Sequence, residues 1–245
     1  MKQPHIYCNN QDVNPCVILP GDPERVGRIA SFLTKTKEIA YNREFRTING
    51  FYEGIPVTVT STGIGGASMA IALEELIQCG GRYFIRTGSA GACQSGIAIG
   101  DLIISSGSVR EDGASRMYAP EGFPAVADSE MLQLAVEFCR QSNFTYHVGI
   151  TRSHDSFYID DEAERMALWQ KMQVLASDME TSALYVIAAL RGVKAVSILN
   201  NVVLYQGDLK EGISEYVDQA GSADTGEKRE IEIALKTLKA IVSQK

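Results

Sequence analysis

The chain has 245 residues, 45% of them hydrophobic, and a formal net charge of −7. That length and apolar content suffice for one sizeable core, so a single domain spanning residues 1–245 is expected. The acidic balance, with no basic run, excludes a nucleic-acid surface; with no signal-peptide run at Met1-Lys2-Gln3-Pro4-His5-Ile6 and no stretch apolar enough to span a bilayer, a cytoplasmic protein without a membrane partner is expected.

In chain order, Val17-Ile18-Leu19-Pro20 reads as a strand running into Gly21, after which Asp22 and Pro23 open a helix to Thr34 with Arg25 on its first turn. Phe45 to Tyr52 and Ile55 to Thr60 alternate about Glu53-Gly54 as a hairpin. The glycine run from Ser61 to Ser68 follows a strand and opens a helix from Ala67 to Cys79. It is not G-x-G-x-x-G, and no acidic residue ends a second strand at the spacing a dinucleotide ribose needs. Either close backbone approach to a ligand or helix–sheet packing accounts for its glycines.

Ile85-Arg86-Thr87-Gly88-Ser89-Ala90-Gly91-Ala92 carries the most chemistry. It reads as an arginine at a strand end entering a Gly-Ser turn, which offers a guanidinium, a hydroxyl and backbone N–H groups to one oxyanion. With the Gly21 corner, this makes two strand–turn–helix junctions beyond the carboxyl ends of strands, where open α/β sheets bind ligands.

Further along, Leu102 to Val109 is a strand, Ser129 to Ser142 a helix, Tyr146 to Thr151 a strand, and Asp160 to Lys171 and Met179 to Arg191 helices. Ala195 to Leu204 reads as a buried strand, Gly207 to Gly226 as a mobile polar loop, and Glu227 to Ser243 as a helix with Ile231, Ala234, Leu235, Leu238 and Ile241 on one face. Strands alternating with helices predict an α/β fold: a single-domain, three-layer α/β/α arrangement around a central mixed, mainly parallel sheet. The five cysteines lack C-x-x-C spacing and His147 and His154 are too far apart for a metal motif, so neither a disulfide framework nor a metal site is expected.

Gly21-Asp22-Pro23 with Arg25, Tyr41-Asn42-Arg43-Glu44-Phe45, Arg86-Thr87-Gly88-Ser89, Val109 to Ala114, Phe123 to Asp128 and Asp178-Met179-Glu180 together resemble the hexameric nucleoside phosphorylases, and most of all their uridine phosphorylase branch. The resemblance implies phosphorolysis of a nucleoside to free base and ribose 1-phosphate, with inorganic phosphate as co-substrate, no other cofactor, and a homo-hexamer built as a trimer of dimers. By motif position, Gly21, Arg25, Arg86 and Ser89 would bind phosphate, and Arg43 would reach a neighbouring subunit's site. Glu180 would hold the ribose hydroxyls, Met179 would lie under the sugar, His5 would reach the 5′-hydroxyl of the adjacent subunit, and Phe157 would pack on base or sugar. Arg86 and Glu180 are the residues expected to act in catalysis.

Two departures bear on the base. Asp161 and Ala163 stand where uracil-specific members carry glutamine and arginine, and Val202 or Val203 where purine-specific members carry an aspartate. Asn200 and Asn201 are nearby polar candidates. A purine nucleoside phosphorylase, a nucleosidase using water, and a non-catalytic nucleoside binder are therefore the alternatives; retention of Arg25, Arg43 and Arg86 argues against the nucleosidase, which has no dianion to neutralise.

Overall fold

Alternating side chains on the central strands serve two apolar layers in the computed structural model of the chain, which describes residues 1–207 and 221–243. The elements run β1 (Cys16–Pro20), α1 (Pro23–Ala30), β2 (Thr34–Asn42), β3 (Phe45–Tyr52), β4 (Ile55–Thr60), α2 (Gly66–Gln78), β5 (Tyr83–Ala92), β6 (Leu102–Glu111), α3 (Gly113–Tyr118) and β7 (Ala125–Val126). They continue with α4 (Ser129–Gln141), β8 (Tyr146–His154), α5 (Glu162–Lys171), β9 (Ala176–Asp178), α6 (Thr181–Arg191), β10 (Lys194–Val203) and α7 (Gly221–Ser243).

Val17 and Leu19 of β1 and Phe84 of β5 pack on α2 and α6, while Ile18 and Ile85, one residue out of phase, pack with α1, α4 and α7. This is the expected three-layer α/β/α fold. The strands follow the order β10-β6-β8-β9-β5-β1-β4-β3-β2, with parallel and antiparallel pairings mixed. β10 also pairs with β5, so the β5-β9-β8-β6-β10 part of the sheet closes on itself. That closure brings Arg86, Asp178 and Ser153 to one region, from three different strands.

Several expectations are corrected. The segment after Arg86 is not a turn: β5 continues through Gly88 and Ser89 to Ala92, because β10 supplies ladder partners out to Gly91. The first helix stops at Ala30, and Thr34–Asn42 forms an edge strand; its exposed Lys35, Lys37 and Glu38 give no alternation to read, and charge on an edge strand also deters further pairing. The last helix starts at Gly221, inside the expected loop; residues 208–220 of that loop lie outside the described residues. The short elements β7, β9 and α3 had no sequence signal of their own. All five cysteines are buried and unbridged, and burial alone pushes the Cys16 thiol up to about 11.

Candidate active site

The site begins where β1 and β5 lie side by side in parallel, with Leu19 opposite Arg86 and Pro20 opposite Thr87. The chain leaves β1 at Gly21, and Asp22 caps α1 by accepting from the amides of Glu24 and Arg25. The cap fixes the first turn of α1 so that Arg25 reaches across to β5, where its Nη1 donates to Thr87 O at 3.1 Å. Arg86 therefore stands beside Arg25, and each residue is only 3% exposed. The Gly63 amide donates to Gly21 O, and a Cβ on Gly21 would lie 3.2 Å from Gly63 O, so the two glycine loops pack backbone to backbone.

Arg86 is held by the Asp-Met-Glu segment. Its Nε donates to Asp178 Oδ2 at 2.9 Å and its Nη2 lies 2.5 Å from Glu180 Oε2, while Nη1 is buried without a hydrogen-bond partner among the described residues. Asp178 also accepts from Ser153 Oγ at 2.6 Å and from the amide and hydroxyl of Thr181, so it caps α6 as well as holding the arginine. Glu180 occupies the N-cap position of α6 but makes no capping bond; its Oε1 accepts from the Gly65 amide at 2.5 Å. Burial raises the Glu180 pKa above the ordinary carboxylate value, with Arg86 pulling the other way and Asp178 adding to the rise. The glycine run thus serves both readings of its sequence: Gly65 reaches the site, whereas a Cβ on Gly66 would press on Ala114 at 3.0 Å.

Arg25 meets α7. Its Nε is 3.1 Å from Glu227 Oε2 and its Nη1 is 3.6 Å from Glu230 Oε1, and Glu227 also takes Arg28 through Nε at 2.5 Å and Nη2 at 3.2 Å. The sequence reading missed Asp178, Glu227 and Glu230 as site residues. The signal was present: Glu227 and Glu230 fall on the same helical stripe as Ile231 and Ala234, where an apolar residue is the rule.

The segments that carry His5 and Arg43 meet through Asn42. Asn42 Nδ2 donates to His5 O at 2.7 Å, and the His5 ring sits edge-on to Phe45 with its Nδ1 2.6 Å from Glu75 Oε1. Arg43 is exposed in the β2–β3 turn at a φ of 56° and makes no ion pair among the described residues; its neighbour Glu44 accepts from Ser68 Oγ instead. Ser89 and Met179 are half-buried, Ser89 beside Asn200 in the β5–β10 ladder. Phe157 is half-buried and stacks edge-on with Tyr158 at 5.0 Å.

The candidate base contacts are partly engaged, the Oδ1 atoms of Asn200 and Asn201 having no hydrogen-bond partner among the described residues. Asn200 Nδ2 donates to Ala223 O and Asn201 Nδ2 to Ala98 O, both side chains fully buried, and Asp161 pairs with Arg165 at 2.8 Å. His147 lies 3.0 Å from Asp101 Oδ2 and His154 bonds the Ser156 carbonyl, as structural histidines do. Arg110, from the resemblance motif, is also structural: it donates to the carbonyls of Ser115, Ala119, Pro120 and Phe123.

The sequence profile of the phosphorylase superfamily matches residues 15–224. A uridine phosphorylase of Thermococcus kodakarensis is 44% identical over 205 residues, 79% of this chain and 74% of that protein. A guanosine phosphorylase of Halorubrum lacusprofundi is 34% identical over 243 residues, 99% of each chain. Among solved structures, a uridine phosphorylase from Vibrio fischeri superposes with a TM-score of 0.92 at 44% identity, covering 98% of both chains. A purine nucleoside phosphorylase from Toxoplasma gondii, in complex with immucillin-H, superposes with a TM-score of 0.91 at 31% identity, covering 100% of this chain and 98% of that one. A profile match across most of the length, on a fold shared with phosphorylases, identifies the chain as a member of the phosphorylase superfamily.

Proposed function

We propose that this protein cleaves a nucleoside by phosphorolysis, with uridine as the leading substrate and inorganic phosphate as co-substrate. The observation that carries the reading is the convergence of Arg25 and Arg86 on the Thr87–Gly88 backbone, with Arg86 Nη1 buried and without a hydrogen-bond partner among the described residues. Among side chains, two planar forks side by side suit the oxygens of a phosphate, and a buried orphan donor costs stability unless a ligand meets it. Phosphate held there would attack the anomeric carbon: a C–O bond forms as the C–N bond breaks, and the base leaves with the bonding electrons and gains a proton. Holding the nucleophile in line removes much of the entropic barrier. Glu180, next to the same guanidinium, is suited to accept from ribose hydroxyls and to stabilise the positive character developing on the sugar, while Asp178 holds Arg86 in place.

Gly21 and Ser89 complete the phosphate contacts in this reading, and Met179 and Phe157 flank sugar and base. His5 and Arg43, on segments joined by the Asn42 bond to the His5 carbonyl, act across an interface in a homo-oligomer of dimers. The whole chain acts as one domain in the cytoplasm. The guanosine phosphorylase that matches along 99% of the chain supports purine nucleosides as the second reading.

The test is base release from uridine, thymidine, inosine and adenosine, each with and without phosphate. Release of uracil fastest, and only with phosphate, is expected. Faster inosine cleavage selects the purine reading, equal release without phosphate makes the protein a nucleosidase, and no release from any leaves a binding protein.

A further inference from the structure

Glu230 has no exposed surface, and neither of its carboxyl oxygens accepts a hydrogen bond from the described residues. The charged groups facing it are Arg25 from α1, Arg86 from β5 and Glu227 one turn earlier on α7; the Gly88 amide approaches from β5 without completing a bond. Its one ion-pair contact among the described residues, 3.6 Å to Arg25 Nη1, is to a group that Thr87 O and Glu227 already engage. A carboxylate without water or hydrogen bonds is costly, and the ordinary resolution is to take a proton. Burial accordingly raises its pKa well above the usual carboxylate value, against the pull of Arg25 and Arg86.

The position matters because the same guanidinium would serve the anion. Arg25, Arg28 and Arg86 already face Asp22, Asp178, Glu180 and Glu227, and an ionised Glu230 would add a further negative charge beside the guanidinium that a dianion must reach. We propose that Glu230 is a proton-linked residue of the phosphate site: phosphate binds the form in which Glu230 is neutral, and the ionised form competes with it for Arg25. This deepens the reading of Arg25 and Arg86 as phosphate ligands and rests on it. A bound anion beside Glu230 raises its pKa further. Phosphate affinity is therefore insensitive to Glu230 at pH below its pKa in the free protein, and falls by up to about tenfold per pH unit above it.

The test is inorganic phosphate binding to the full chain by calorimetry, wild type against Glu230→Gln, from about pH 6 to about pH 9. Glutamine copies the shape of the neutral acid and cannot ionise, and phosphate's own ionisation affects both proteins alike. The ratio of the two Kd values is expected to be near one at the acid end and to reach about tenfold or more in favour of Glu230→Gln at the alkaline end. A ratio that stays at one, or one that favours glutamine equally at every pH, overturns the proposal. If the variant fails to fold, wild-type titrations near pH 8 in buffers of different ionisation enthalpy decide, since a phosphate monoanion has by then largely lost its proton. Proton uptake of up to one per phosphate supports the proposal, and none overturns it. A wild type that binds no phosphate at any pH overturns instead the assignment of Arg25 and Arg86.

Discussion

Replacing Arg86 with alanine removes the group that Asp178 and Glu180 share. Both carboxylates are at most 5% exposed, so the loss leaves two buried negative charges side by side. Breaking a buried ion pair from one side costs about 3–5 kcal/mol. The lower end applies here, because Asp178 keeps Ser153 and Thr181 and Glu180 keeps the Gly65 amide. For a chain of this size about 3 kcal/mol corresponds to a fall in Tm of roughly 6–12 °C. The pH dependence has a definite sign. Glu180 already sits above its ordinary pKa through burial, and removing Arg86, which lowers it, raises it further. A carboxylate whose folded pKa exceeds its unfolded value destabilises the fold as pH rises through that range, so the deficit of Arg86→Ala grows from about pH 5 to about pH 8. Thermal melts of wild type and variant at both pH values, with phosphate saturation kinetics at the higher one, read both effects. A deficit that shrinks with rising pH, or a variant whose phosphate KM is unchanged, would refute the reasoning.

Arg43→Ala should leave Tm within about 1–2 °C of wild type, since the side chain is exposed in a turn, while raising the phosphate KM severalfold. If Arg43 acts across an interface, Arg43→Ala and Glu180→Gln chains mixed after dissociation recover part of the activity neither has alone; no recovery places each site within one subunit. Gly226→Ala would put a Cβ 2.0 Å from Asn200 Oδ1 and 2.7 Å from Gly100 Cα, so a loss of about 1–3 kcal/mol is expected in denaturant midpoints. Arg152→Met leaves Glu111 and Glu162 without the 1%-exposed guanidinium that holds both; as each carboxylate keeps some water, about 1–3 kcal/mol is expected, measured by the same midpoints.

Much of the architecture was legible because periodicity reports burial. Strands alternating with helices, and the apolar face of the last helix, predicted a sheet covered on both faces, and the structure sends Val17 and Leu19 to one layer and Ile18 to the other. The edge strand Thr34–Asn42 was illegible for the same reason: its exposed stretch of Thr, Lys and Glu buries nothing that could repeat. The Gly-Ser turn after Arg86 was misread because glycine and serine also suit a strand crowded by its own arginine; a Cβ on Gly88 would lie 2.6 Å from Arg86 Nη2. Arg25, Arg86 and Glu180 were each legible from strand ends, helix starts and the family resemblance. What no local pattern could supply was that Asp178 binds Arg86, or that Glu227 and Glu230, roughly 200 residues from Arg25, close on it from the last helix.

If Arg25 and Arg86 bind the phosphate that takes the sugar, cleavage of uridine must depend on phosphate and consume it. Uridine incubated with the protein over a range of phosphate concentrations, with uracil and ribose 1-phosphate measured together, should give no uracil at zero phosphate, a saturable rise as phosphate is added, and one ribose 1-phosphate for each uracil. Uracil formed at the same rate without phosphate, or accompanied by free ribose, would remove the two arginines from that role.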